Sequence, residues 1–168
     1  MGYSHFWRRP VVISSTAWLP IQADVRRLVN ASPVPLVWGY DEPSWKPETS
    51  SNLIAFNGLG EAGCEDFSFA RFWGGRYGRH PDAEGRTFGF CKTNYRRYDV
   101  LVCGGLIVLK HRLGDSIIVE TDGGDEDWQP ARDFCLKTLG YGARFHIQGR
   151  TLLDVNRIPD AEPTKEAV

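Results

Sequence analysis

One short segment of the chain combines a thiol, an ammonium group and a hydroxyl at the start of a predicted helix. Cys91, Lys92 and Thr93 end an alternating, strand-like pattern, and Asp99 follows where an apolar helix begins. Backbone N–H groups at a helix start bind anions, and a thiol there can have a lowered pKa. The segment could therefore supply a nucleophile, Cys91, or a phosphate clamp made of Lys92 and Thr93.

The simpler interpretation of this segment is structural. Cys91 would pack inward as a small apolar residue, while Lys92 and Thr93 would serve as surface and helix cap. The alternation places Cys91 on the opposite side from Phe88 and Phe90, so Cys91 is exposed if those two rings face the core.

A second polar segment, residues 122–127, holds four carboxylates in six positions. It lacks the spacing of a calcium-binding EF-hand loop, and acidic side chains are expected in the first turn of a helix because they complement its dipole. Helix capping therefore explains the run better than a metal ion, and we predict no metal site. Asp122, which ends a strand, is the acid that this explanation does not cover.

The histidines offer no metal-binding motif, since none of the four lies near another in the sequence. His5 stands between Tyr3 and Trp7 on one face of an alternating strand. It could line a pocket, or it could be a histidine at the edge of the core whose ring bonds a backbone carbonyl. The four cysteines form no C-x-x-C pair, so a zinc finger is not indicated.

The elements that must position these side chains follow from periodicity. Apolar residues on one side of a helix recur after Ser14-Ser15-Thr16, and Pro20 places the predicted cap near Thr16. The central helix is the clearest element, because nearly every residue from Val100 to Leu109 is apolar, which predicts burial on several sides. The predicted strands cover 2–8, 36–38, 53–56, 67–71, 87–93, 117–121, 144–147 and 151–155, and the three predicted helices cover 16–29, 98–113 and 125–139.

This order of elements lacks the regular strand-helix-strand alternation of a parallel sheet. It predicts a single α+β domain over residues 1–158, with a mostly antiparallel or mixed sheet of five to six strands, and a polar tail over 159–168. Asn57-Gly58 is predicted to form a turn. Residues 41–52 are predicted to be an exposed loop, and residues 73–85 a mobile connection.

Composition limits the function classes. The net charge of −1 provides no broad basic field, so nucleic acid is not an expected partner. The longest apolar run is half the length of a membrane span. No secretory signal opens the sequence. We therefore expect no membrane and a bacterial or host-cell cytoplasm.

Several short motifs together resemble a family of proteins from bacteriophage and bacterial genomes that has no assigned activity. They are GYSHFW at 2–7, AFNG at 55–58, FCKT at 90–93 followed by Tyr98-Asp99, Lys110-His111, and Thr121-Asp122-Gly123 with Asp127-Trp128. The resemblance runs from about Gly2 to Gly142. It implies a phage or bacterial accessory protein, and it brings no catalytic residue or cofactor with it.

Three functional hypotheses remain from the sequence. The first is a binding module for a small anionic, nucleotide-like ligand in a strand-to-helix cleft; its site would use His5, Cys91, Lys92, Thr93, Asp99 and Asp122. The second is an enzyme in which His5, Cys91, Asp99 or Asp122 act as acid-base or nucleophilic groups, which requires at least two of them within hydrogen-bond reach. The third is a structural or interaction protein that uses its tryptophans at a protein interface.

Overall fold

The computed structural model describes residues 2–39, 45–73 and 80–157. These residues form α-helices and antiparallel strands, which confirms the predicted α+β class. The helices are α1 (Ser15–Asn30), α2 (Asp99–Leu113) and α3 (Gln129–Leu139), and the strands are β1 (Ser4–Pro10), β2 (Leu36–Val37), β3 (Glu48–Thr49), β4 (Leu53–Gly58), β5 (Phe67–Ala70), β6 (Arg86–Lys92), β7 (Ile118–Thr121), β8 (Phe145–Gln148) and β9 (Thr151–Asp154).

The strands divide between two sheets. The larger sheet has the order β6-β1-β7-β9-β8, so β1 lies inside it with β6 and β7 on either side. In the smaller sheet the order is β2-β4-β3, and β5 also pairs with β4. The predicted strands therefore exist, but those between α1 and β6 pair with one another.

The helix α2 forms the centre of the core, as its sequence predicts. Every residue from Leu101 to Lys110 is buried. A methyl group added at Gly104 would lie 3.3 Å from Leu28 of α1 and 3.5 Å from Cys135 of α3, and one added at Gly105 would lie 3.7 Å from Phe67. The two glycines therefore let neighbouring side chains pack against the backbone of α2, which offsets their low helix propensity.

The start of α1 differs from the prediction. Ser14, rather than Thr16, is the N-cap, and its hydroxyl accepts a hydrogen bond from the N–H of Ala17 at 3.3 Å. Pro20 consequently lies inside the helix instead of in its first turn. The helix tolerates the lost N–H because the flanking residues Trp18 and Ile21 are fully buried, so packing holds this turn in place.

The predicted turn at Asn57-Gly58 is wrong, because both residues belong to β4. The Asn57 side chain is buried and closes the loop that follows. Its amide oxygen accepts from the N–H groups of Gly58 and Cys64 at 2.8 and 3.1 Å, and its amide nitrogen donates to Asp66 at 2.9 Å. The Asn57 side chain therefore does not form a turn at its own position. It stabilises the loop that reaches Cys64, seven residues later in the chain.

Some predictions fall wholly or partly outside the described residues. They are the polar tail over 159–168, residues 41–44 of the predicted connection over 41–52, and residues 74–79 of the connection over 73–85. None of the helices in the described ranges combines the length and the apolar character needed to span a bilayer.

His111, at the end of α2, is expected to make the stability of the folded protein depend on pH. Its Nδ1 accepts a hydrogen bond from Arg144 at 2.8 Å, and its ring packs on Tyr141. Burial, together with Arg112 and Arg144, lowers the pKa of His111. The unfolded chain therefore takes up this proton at a higher pH than the folded protein, so stability falls as the pH drops below about 6.5.

Urea unfolding at a series of pH values measures this loss. We expect His111→Gln to make the decline below about pH 6.5 shallower, because the variant has no proton to take up at this position. We expect Arg144→Gln to raise the pKa of His111 in an NMR titration. An unchanged slope in His111→Gln would show that the acid-side loss arises elsewhere.

Candidate functional site

The candidate site begins with His5 on β1. Alternation along the strand turns His5, Trp7 and Arg9 to the same face of the sheet, and all three are buried. In the sheet register, His5 lies directly between Cys91 of β6 and Thr121 of β7. The imidazole therefore projects from the middle of the sheet toward α2.

The first turn of α2 supplies two further groups. Asp99 and Cys103 are four residues apart, a spacing that puts both on one face of a helix. Asp99 Oδ1 lies 2.8 Å from His5 Nε2, Cys103 Sγ lies 3.6 Å from the same nitrogen, and Cys103 Sγ lies 3.6 Å from Asp99 Oδ2. One imidazole nitrogen, one carboxylate and one thiol thus converge on a single point.

This arrangement is not that of a Cys-His-Asp catalytic triad. In a triad the nucleophile and the acid contact opposite nitrogens of the imidazole, whereas both Cys103 and Asp99 contact Nε2 of His5. Cys103 is also fully buried, and burial together with the nearby Asp99 raises its pKa well above the ordinary value. The geometry suits three ligands of one ion better than a proton relay.

Two aromatic rings hold the imidazole. Tyr3 and Trp128 meet the His5 ring edge to face, with centroids 5.0 and 5.3 Å away. The Nδ1 atom of His5 is buried and has no hydrogen-bond partner among the described residues. Packing between Tyr3 and Trp128, rather than a second hydrogen bond, therefore fixes the orientation of the ring.

The loop before α2 and the acidic turn before α3 meet on either side of Tyr3. Tyr95 stacks on the Tyr3 ring at 3.8 Å, and the Tyr3 hydroxyl lies against Gly123. Asn94 and Tyr95 both have positive φ, at 51° and 57°. A positive φ is costly for a bulky residue such as Tyr95. The loop that adopts it places the Tyr95 ring on Tyr3.

Three carboxylates lie near the Tyr95 ring that stacks on Tyr3. Desolvation, followed by the carboxylates of Asp127, Asp99 and Asp122, raises the pKa of the exposed Tyr95. Two of these carboxylates are paired, Asp99 with His5 and Asp122 with Arg150.

Cys91 lies within the core instead of at a reactive surface. It is fully buried, whereas Phe90 is 52% exposed, so the alternation runs opposite to the one that would expose Cys91. Its thiol contacts the carbonyl of Glu65 and the hydroxyl of Tyr98. Burial raises the pKa of Cys91 to about 12, so it is protonated at neutral pH and is no thiolate nucleophile.

Lys92 and Thr93 do not form a clamp aimed at the start of α2. The Lys92 side chain lies against Gly2, and the backbone N–H of Lys92 donates to the Glu65 carboxylate at 3.1 Å. Thr93 is buried and its N–H donates to the carbonyl of Tyr3 at 3.0 Å. Both residues fix the path of the loop that leads to Asp99.

Asp122 lies at the end of β7, outside the His5 cluster. Its carboxylate accepts from the N–H of Ser4 at 3.1 Å and from Arg150 at 2.6 Å. Of the six residues predicted from sequence, the structure thus joins His5 and Asp99 by direct contact.

Sequence reasoning missed Cys103 and Trp128. Cys103 is hidden within an apolar helix, where a cysteine resembles any other core residue. The one available signal was its spacing of four residues from Asp99. Trp128 follows the acidic run, and only the tertiary fold shows that its indole contacts His5.

Comparison of the chain with protein-family models, with curated proteins and with solved structures finds no match in any of the three.

Proposed function

We propose that the protein binds a divalent transition-metal ion, of the zinc type, through His5, Asp99 and Cys103. The observation that carries this proposal is the convergence of His5 Nε2, an Asp99 oxygen and Cys103 Sγ within 4.8 Å of one another. Imidazole, thiolate and carboxylate are the ligands that zinc takes in proteins.

The distances fit a tetrahedral ion. Zinc-ligand bonds imply separations of about 3.6 Å between sulfur and nitrogen, and about 3.3 Å between nitrogen and oxygen. Cys103 Sγ lies 3.6 Å from His5 Nε2, which matches the separation between sulfur and nitrogen. The His5–Asp99 pair, at 2.8 Å, needs to open by roughly half an ångström to exchange its hydrogen bond for an ion.

Three protein ligands leave one tetrahedral position for water or a small molecule. This is the pattern of sites that act on a ligand, since purely structural zinc sites use four protein ligands. The Asp99 carboxylate in the cluster favours a cation, whereas the anionic, nucleotide-like ligand predicted from sequence has less support because Lys92 and Thr93 point elsewhere. The phage or bacterial origin stays a prediction.

Cobalt binding tests the proposal directly, because a cobalt-thiolate bond produces a charge-transfer absorption band that an oxygen or nitrogen ligand does not. We expect the protein to bind one equivalent of Co²⁺ with this band, and Zn²⁺ to displace it. Cys103→Ser should abolish the band and weaken Zn²⁺ binding by about 100-fold or more, since even loss of groups that only orient ligands costs 10- to 100-fold.

Cys135→Ser is the matched control. Cys135 is also a fully buried thiol, but it lies on α3 and donates to the carbonyl of Gly104. Its replacement should keep the cobalt band. Absence of the band in the unmodified protein, or an equal band in a folded Cys103→Ser variant, would overturn the proposal.

A further inference from the structure

Arg9, near the end of β1, is a buried cation that no described carboxylate neutralises. The residue is 3% exposed. Its guanidinium donates hydrogen bonds to the carbonyl of Pro10 at 3.0 Å and to the carbonyl of Ala70. It also lies 4.6 Å from the centroid of the Phe69 ring. Within the described ranges Arg9 forms no ion pair, and burial is the influence that shifts its pKa.

The charge of Arg9 persists at neutral pH, since burial lowers its pKa only to about 10. A buried charge without a counter-ion is costly in free energy. Carbonyl oxygens carry only partial negative charge, and the two hydrogen bonds use two of the five N–H donors of a guanidinium. The remaining donors and the unbalanced charge both favour an anion beside Arg9.

Arg9 lines a partly enclosed cavity of about 140 Å³, which we call the Arg9 cavity. It lies where β5 of the smaller sheet approaches β6 of the larger one, between residues 68–70 and residues 87–90, and Trp7 and Trp73 complete its wall. The residues that follow Trp73 in the sequence, 74–79, include no aspartate or glutamate, so they supply no counter-ion for Arg9.

The size and the lining of the Arg9 cavity limit what the anion can be. A cavity of about 150 Å³ with apolar walls holds a benzene ring, and the wall of this one includes Trp7, Phe69 and Trp73. One guanidinium balances one negative charge, and its planar fork matches the two oxygens of a carboxylate. An acid with a single carboxylate and an apolar body therefore fits better than phosphate, which carries more charge and no apolar surface.

We infer that the Arg9 cavity binds a small monocarboxylate, with its carboxylate paired to Arg9 and an apolar body of about the size of a benzene ring against the tryptophans. The site is separate from the metal cluster, because Arg9 lies four residues beyond His5, about 13 Å along the strand. It also differs from the strand-to-helix cleft predicted from sequence, since none of the six residues named for that cleft lines the cavity.

Isothermal titration calorimetry of the full chain with benzoate tests the inference. We expect a Kd of about 1 mM or tighter, an ordinary affinity for a ligand of this size. Benzamide has the same shape without the charge. It should bind at least about 10-fold more weakly, the minimum expected for loss of a hydrogen bond to a charged group. An excess of inorganic phosphate should not displace benzoate.

Two substitutions separate the charge of Arg9 from the shape of its side chain. Arg9→Met removes the guanidinium but keeps the length of the side chain, so benzoate binding should weaken by about 10- to 150-fold. Arg9→Lys keeps a positive charge but loses the planar fork. Its loss of affinity should therefore be smaller than that of Arg9→Met.

Arg71→Met is the matched control. Arg71 also donates to a backbone carbonyl, that of Ile13 at 3.0 Å, and lies 4.7 Å from the centroid of a phenylalanine ring, that of Phe72. It does not line the cavity. Arg71→Met should therefore bind benzoate as the unmodified protein does.

NMR spectra of the indole N–H groups locate the bound ligand. Benzoate should shift the signals of Trp7 and Trp73, which line the cavity. It should leave the signal of Trp128 unchanged, because that indole packs on His5 at the metal cluster.

The inference is overturned if the unmodified protein does not bind benzoate, if benzamide binds as tightly, if phosphate displaces benzoate, or if a folded Arg9→Met variant binds fully. A shift of the Trp128 signal in place of the Trp7 signal would also overturn it. If Arg9→Met does not fold, the comparison of benzoate with benzamide and the indole spectra decide the question in the unmodified protein.

Discussion

Replacement of Gly63 by alanine is expected to destabilise the protein by about 3 kcal/mol, the upper range for forcing an extra carbon into a packed site. A methyl group at Gly63 would lie 2.1 Å from the carbonyl oxygen of Gly58 and 2.5 Å from the Asn57 amide oxygen. The nearest of these is a backbone atom, so the contact cannot be relieved by rotating a side chain. The loop that follows holds Glu65, whose carbonyl accepts from Tyr98 at the start of α2.

Gly60→Ala is the control in the same loop. Gly60 has a φ of 57° but nothing within 4 Å of an added methyl group. Its replacement should cost about 1 kcal/mol, from the left-handed backbone alone. Urea unfolding followed by tryptophan fluorescence gives both values. Equal losses in the two variants would mean that the close approach of the chain at Gly63 is not what stabilises the loop.

Replacement of Asp125 by alanine is also expected to cost about 3 kcal/mol, because it leaves a buried guanidinium without its main partner. Arg132 is 3% exposed and donates to both carboxylate oxygens of Asp125, at 2.7 and 3.1 Å. Asp125 also accepts from the N–H of Ile147 on β8 at 2.7 Å. One carboxylate thus joins the acidic turn, α3 and the sheet.

A double variant separates the ion pair from the other contacts. Asp125→Ala with Arg132→Met should be less destabilised than the sum of the single variants, because no unpaired buried charge remains. Additive losses would contradict the role given to the pair. Because Trp128 lies in this turn and packs on the His5 ring, Asp125→Ala should also weaken Co²⁺ binding.

Asp125 has a pH signature as well. Burial alone would raise its pKa, but hydrogen bonds from Ile147, Arg132 and His146 hold the pKa below its ordinary value. The folded state therefore binds this proton less readily than the unfolded chain. The contribution of Asp125 is complete above the unfolded pKa of about 3.9 and is lost as the pH falls through the lower folded value. Asp125→Ala should lack that part of the acid-side loss.

The elements that the sequence predicts are those whose hydrophobic pattern is complete within a short stretch of the chain. The apolar run of α2, the alternation in β1 and the hairpin of β8 and β9 are each visible within a dozen residues, and each is present in the structure. The strand β3 was not predicted, since it falls within the connection predicted over 41–52 and its two residues are too few for a period to show. It forms because β4 offers it an edge.

The candidate site could be predicted only in part for the same reason. His5 and Asp99 were both identified by type and by position in an element, yet they are 94 residues apart and no local rule joins them. The contact depends on the register of β1 in the sheet and on the rotation of α2 about its axis. Cys103 could not be identified from the sequence, because packing in the core is a sufficient explanation for a cysteine in an apolar helix.

The position of β1 inside the sheet has a consequence for how the chain acquires its structure. Both of its neighbours, β6 at 86–92 and β7 at 118–121, are synthesised long after it. Contacts between such distant segments slow folding, since the intervening chain must first be ordered. Until β6 and β7 leave the ribosome, Phe6 and Trp7 remain in contact with water on a strand with two free edges. A nascent chain of this kind is a target for chaperones and is open to association with its own copies.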